Sequence, residues 1–120
     1  MKIARNLLMV LTISLFVSTV AFANSDAALV KEGKHIFDTK KLGNCTACHA
    51  VEGMTFNSVG TQGPKLKGLK YWPTKTLYNT VFDIYAARGI KISAMPAFGR
   101  DGWLSDQQIR AVVAFLKTIN

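Results

Sequence analysis

Apolar positions along this chain group into one long, mostly apolar block and three periodic ones. Leu7 to Val20 is a mostly apolar run, diluted by Thr12, Ser14, Ser18 and Thr19. Lys2 and Arg5 precede it and Ala21-Phe22-Ala23 follows it. A basic start, an apolar stretch and a small-x-small site make the pattern of an export leader, favoured here over an uncleaved membrane anchor. Residues 1–23 therefore read as a cleaved signal peptide and 24–120 as one domain, with no stable membrane insertion after cleavage.

Downstream the apolar residues recur with helical spacing. Leu29, Gly33, Ile36 and Phe37 fall at i, i+4, i+7 and i+8, predicting a helix over 26–37. Leu77, Tyr78, Val81 and Phe82 predict a second helix, with Pro73 suited to its first turn. Ser105-Asp106-Gln107-Gln108 has the form of a capping box between Leu104 and Ile109, opening a third helix over 105–119 with a stripe of Ile109, Val112, Val113 and Leu116. A glycine inside a helix costs about 1 kcal/mol relative to alanine, so Gly33 points to a close crossing, with the last helix as the partner. Residues 52–68 and 87–102 carry glycine and proline and read as loops. No run alternates well enough to be a strand, so the expected class is all-α.

Composition narrows the picture further. The formal charge is +8, and loss of Lys2 and Arg5 leaves 13 basic against seven acidic side chains over 97 residues. A basic exported protein suits an acidic partner or surface. No aromatic-basic motif or DNA-binding helix pair is visible, so nucleic acid is not the expected partner. A domain this small gains from any apolar group that it can enclose.

Such a group is implied by Cys45-Thr46-Ala47-Cys48-His49, the only place cysteine occurs. C-x-x-C-H is the attachment signature of a c-type haem. Each sulfur adds across one vinyl group, and the following histidine becomes the proximal iron ligand. A thioredoxin-like pair would need a βαβ context. Zinc would need four ligands where the chain offers two Cys and two His, with Cys48 and His49 adjacent. A disulfide would close a tiny strained loop and leave His49 without a role. Haem attachment also requires export, in agreement with the leader, and places the protein in the periplasm.

The iron needs a second ligand on the far face. Met54, Met95, His35 and lysine amines are the candidates. Met54 lies five residues after His49, whereas Met95 lies 46 residues downstream in a loop stiffened by Pro96. Met95 is the favoured ligand, with a lysine still open. Metal-bound histidines usually donate their second ring N–H to a carbonyl, and Pro64 supplies one in the loop after the motif.

These pieces stand in the order of the class I cytochromes c, which the chain resembles over residues 27–119. They are Gly33 and Phe37, Cys45 to His49, Gly63-Pro64-Lys65-Leu66, Met95-Pro96, and Val112 with Phe115. The resemblance implies a small fold of three main helices around one covalent haem c, His49/Met95 iron ligation and a Pro64 carbonyl bond to His49. More narrowly, Gly43-Asn44 before the motif and Met95-Pro96-Ala97-Phe98-Gly99 after it are similar to the SoxX family. Those are monohaem subunits of SoxAX thiosulfate-oxidising complexes. That likeness implies a SoxA-like cytochrome partner and a non-catalytic, electron-accepting role. The long insertion of larger SoxX proteins between Met95 and Leu104 is missing.

The alternative is a free periplasmic carrier between respiratory complexes; an open-site sensor haem fits less well. Lys40, Lys41, Lys91 and Arg100 flank the haem and Met loops as candidate docking charges for redox partners. Tyr71, Trp72 and Trp103 are candidates for an apolar subunit contact. Mass spectrometry of the exported chain is expected to give one haem added to a polypeptide starting at Asn24. Extraction of that haem by acid acetone would overturn thioether attachment.

Overall fold

The computed structural model describes residues 21–120, with side chains from Asp26 onward. The predicted leader lies, as far as Val20, outside the described residues. Four helices follow in order: α1 (Ala21–Asp38), α2 (Thr74–Phe82), α3 (Ile84–Arg88) and α4 (Asp106–Leu116). Short 3-10 turns lie at Cys45–Ala47 and Leu69–Tyr71. Among the described residues there is no strand, only an isolated parallel bridge between Val51 and Leu66. The all-α expectation holds.

Helices α1 and α4 cross at Gly33. A Cβ built there would run into the Ala111 carbonyl and stand 2.9 Å from Phe115 Cβ, so only a bare α-carbon allows the approach. One helical turn on, the Phe37 ring meets Phe115 edge-on, with centroids 5.2 Å apart and planes at 60°. Ile36, Phe37, Ile109, Val112, Phe115 and Ile119 are closed to solvent around this crossing. Each such side chain contributes about 1.5–3 kcal/mol through removal from water.

The start of α4 follows the expected chemistry. Ser105 Oγ accepts from Gln108 N–H at 3.2 Å, and Gln108 Oε1 accepts from Ser105 N–H at 2.9 Å. Leu104 and Ile109, both buried, close the staple around it. The end differs from the prediction, because the helix stops at Leu116 rather than at Ile119. There the backbone tightens to i→i+3 bonds, Thr118 N–H to Phe115 O and Ile119 N–H to Leu116 O, and the chain peels away. Its tail pairs with the 3-10 turn, as Lys70 N–H donates to Ile119 O at 2.9 Å. The Lys117 ammonium donates to the carbonyls of Lys70 and Trp72, each at 2.6 Å.

The expected middle helix is split. Pro73 caps α2 from outside, and the chain bends at Asp83 (φ −151°, ψ 93°). The Asp83 carboxylate accepts from the N–H groups of Tyr85 and Ala86, starting α3, which ends at Gly89 in the left-handed region (φ 63°). Ala87 and Arg88, expected in a loop, are therefore helical. An acidic N-cap with a glycine terminator marks such a helix, but five residues are too few for apolar periodicity to reveal.

Gly33→Ala is expected to force the two helices apart and destabilise the fold by at least about 1–3 kcal/mol, read from denaturant unfolding. An unchanged midpoint would mean that the helices tolerate separation at this point.

Candidate haem site

The C-terminal end of α1 delivers the motif. Gly43 N–H returns to Ile36 O at 3.0 Å, and Asn44 takes the left-handed conformation (φ 51°), which a short amide side chain tolerates. The chain then tightens around Cys45, whose carbonyl accepts from Cys48 N–H at 3.1 Å and His49 N–H at 2.9 Å. Two sulfurs and an imidazole thus leave one short turn, with the Thr46 side chain buried beneath it.

Both thiols are free rather than joined. Cys45 packs against the core, and desolvation there pushes its pKa up to about 12, so it stays a neutral thiol. Cys48 Sγ donates to Gln62 Oε1 at 3.6 Å. Among the described residues no cluster of three or more His, Cys, Asp or Glu forms that would hold a bare metal ion.

His49 is fixed from two sides. Its Nδ1 lies 2.8 Å from the Pro64 carbonyl oxygen. A carbonyl only accepts, so Nδ1 carries the proton and Nε2 is left with its lone pair outward. Gly63 lies against the ring, where an added Cβ would stand 2.7 Å from Nδ1 and 2.8 Å from Nε2. The loop bearing both residues is tied along its length to the motif. Gly60 N–H reaches Thr46 O at 2.9 Å, Gly63 N–H reaches Cys48 O at 2.8 Å, and Leu66 N–H reaches Ala50 O at 2.8 Å. Glu52 pairs with Lys65 across the Val51–Leu66 bridge, and that hydrogen bond holds the Glu52 carboxyl below the usual range.

Met95 is half-buried against the same core as Cys45 and Leu66. Its N–H donates to Ser93 Oγ at 3.0 Å, while Ala97 and Phe98 plug into the interior just after it. Met54 also packs on the core, in the turn beyond Val51. His35 is exposed on α1, 3.3 Å from Thr39 Oγ1. Arg100, read from sequence as a candidate docking charge, is exposed and also paired within the chain. It pairs with Asp83 at 3.2 Å and with Asp101 at 3.0 Å, and lies over the Tyr85 ring. Lys40, Lys41 and Lys91 are exposed.

The donor set suits a covalent haem: two unpaired thiols with two residues between them, an imidazole with one nitrogen already committed, and a thioether in a pinned loop. Sequence reasoning missed the roles of Gly63 and Gln62. A glycine directly before the carbonyl-donating proline was the signal for the first; the second carried none.

A family model described as cytochrome C oxidase, cbb3-type, subunit III matches residues 28–116. The chain belongs to this family of class I c-type cytochrome domains, which carry electrons through haem c. Within that class it is similar to SoxX. A chain in the crystal structure of SoxXA from P. pantotrophus matches at 32% sequence identity with a TM-score of 0.64, covering 73% of this chain and 79% of that one. No curated protein matches.

Gly63→Ala is expected to push the imidazole off the Pro64 carbonyl. The cost should be about 1–3 kcal/mol of stability, together with a lower yield of covalently loaded protein by in-gel haem staining. Full loading and an unchanged unfolding midpoint would show that the ring moves aside freely.

Proposed function

We propose that this chain is a periplasmic monohaem cytochrome acting as the electron-accepting subunit of a SoxAX-like thiosulfate-oxidising complex. The likeness to a chain of SoxXA is the observation that carries the subunit reading. In it, residues 1–23 direct export and are removed, and residues 24–120 form the working domain.

Cys45 and Cys48 would hold the haem through thioethers, and His49 Nε2 and the Met95 sulfur would ligate its iron. When bound, the group would supply a one-electron ferric/ferrous couple whose potential follows its ligands and burial. The chain's own contribution is positional. The Pro64 carbonyl keeps the His49 proton on Nδ1 and raises the basicity of the free nitrogen. Buried Ala97 and Phe98 anchor the Met95 loop just after the methionine.

A stable subunit presents apolar side chains to its partner. Tyr71 and Trp103 stand 77% and 63% exposed, which supports that role. Trp72 is more covered, with Arg88 over its ring. The expected result is co-elution with a SoxA-like cytochrome from native extract, weakened by Trp103→Ala with the haem spectrum intact. Elution as a lone monomer, reduced by unrelated donors at rates that fall steeply with salt, would instead establish a free carrier steered by its basic surface.

A further inference from the structure

We infer that Tyr85 is a positioning residue for Met95, the centre of a clasp by which the α2–α3 junction grips the Met95 loop on both flanks. The inference rests on the proposal that Met95 is the distal iron ligand. Upstream of Met95, the Tyr85 hydroxyl donates to the Ser93 carbonyl at 3.1 Å. The Ser93 hydroxyl in turn accepts the Met95 N–H at 3.0 Å, so the phenol reaches the methionine backbone through one residue. Downstream, the Arg100 guanidinium lies 4.8 Å from the centre of the same Tyr85 ring. It reaches Asp83 Oδ1 at 3.2 Å, the oxygen that also caps α3 by accepting from Tyr85 N–H at 3.0 Å. The Phe82 carbonyl, freed where α2 ends, accepts from Gly99 and Arg100 N–H at 3.0 and 3.1 Å.

Residues 93 and 100 are thus fastened to the α2–α3 junction, and Met95 lies on the span between them. This explains why the chain breaks α2 at Asp83 rather than continuing it. The bend turns Tyr85 and the freed Phe82 carbonyl toward the loop. A thioether is a weak ligand, and its hold on iron depends on how rarely its loop opens. Tyr85 holds down the population of the open loop.

Imidazole binding to the ferric holoprotein reads this directly, because imidazole enters only when the methionine leaves. Tyr85→Phe keeps the ring under Arg100 but removes the Ser93 bond. It should tighten apparent imidazole binding roughly three- to tenfold, the equilibrium weight of about one hydrogen bond. Tyr78→Phe is the control. It loses a comparable phenol bond, to Asp106 at 2.6 Å between α2 and α4, and should leave imidazole affinity unchanged. Equal affinities for Tyr85→Phe and the parent, or equal shifts in both variants, would overturn the clasp. Met95→Ala separates this from the ligand assignment. If its ferric spectrum and imidazole affinity match the parent, Met95 is not the ligand. If they change while those of Tyr85→Phe do not, the clasp alone fails. Should Tyr85→Phe not accumulate, Arg100→Gln at the exposed end carries the same expectation and the same overturning result.

Discussion

The hydrogen bond between His49 Nδ1 and the Pro64 carbonyl is the constraint around which the rest of the site is arranged. It decides which ring nitrogen carries the proton, and so which one is available to a metal. For that carbonyl to face the ring, the 60–66 loop must fold back over the motif. Three backbone bonds to Thr46, Cys48 and Ala50 hold it there. The loop must also come close enough that residue 63 has no side chain. One side chain's orientation thereby accounts for the path of a whole segment without regular structure.

Features that depend on neighbours along the chain are legible in the amino-acid sequence. The capping box at Ser105, the spacing of Cys45, Cys48 and His49, and the crossing glycine at position 33 each leave a local signature. Gly33 is the most telling, because its cost inside a helix has to be offset by a contact, and the Ala111 carbonyl is that contact. Features built from distant pairs leave no such mark. Arg100 is a surface charge as read, but nothing in its vicinity announces that Asp83 and Tyr85 fold against it. Helix α3 is hidden by its length, and the early end of α4 by the tail's pairing with residues 68–70.

Polar and apolar forces have separate tasks here. The ion pairs Lys34–Asp38, Lys65–Glu52 and Arg110–Asp106 lie on the surface, where such pairs are worth little. Stability comes from the α1–α4 crossing and the aromatic contacts of Phe37 with Phe115 and Phe56. The polar groups that matter are the ones that aim something. Lys117 ties the tail to the turn before α2, Asp83 bends the chain into α3, and the Pro64 carbonyl sets a tautomer.

The helix crossing has a kinetic consequence. Gly33 and Ala111 meet although 78 positions separate them in the chain. An all-helical protein of this size would ordinarily fold among the fastest, because most of its contacts are local. Here the principal core joins two distant segments, so the contact must offset the entropy of closing the long loop between them. Neither terminal helix has its partner nearby in sequence, so each is a marginal element until the other arrives. The haem-binding motif lies within the loop that this one contact closes, so whatever holds the two ends together also encloses the site.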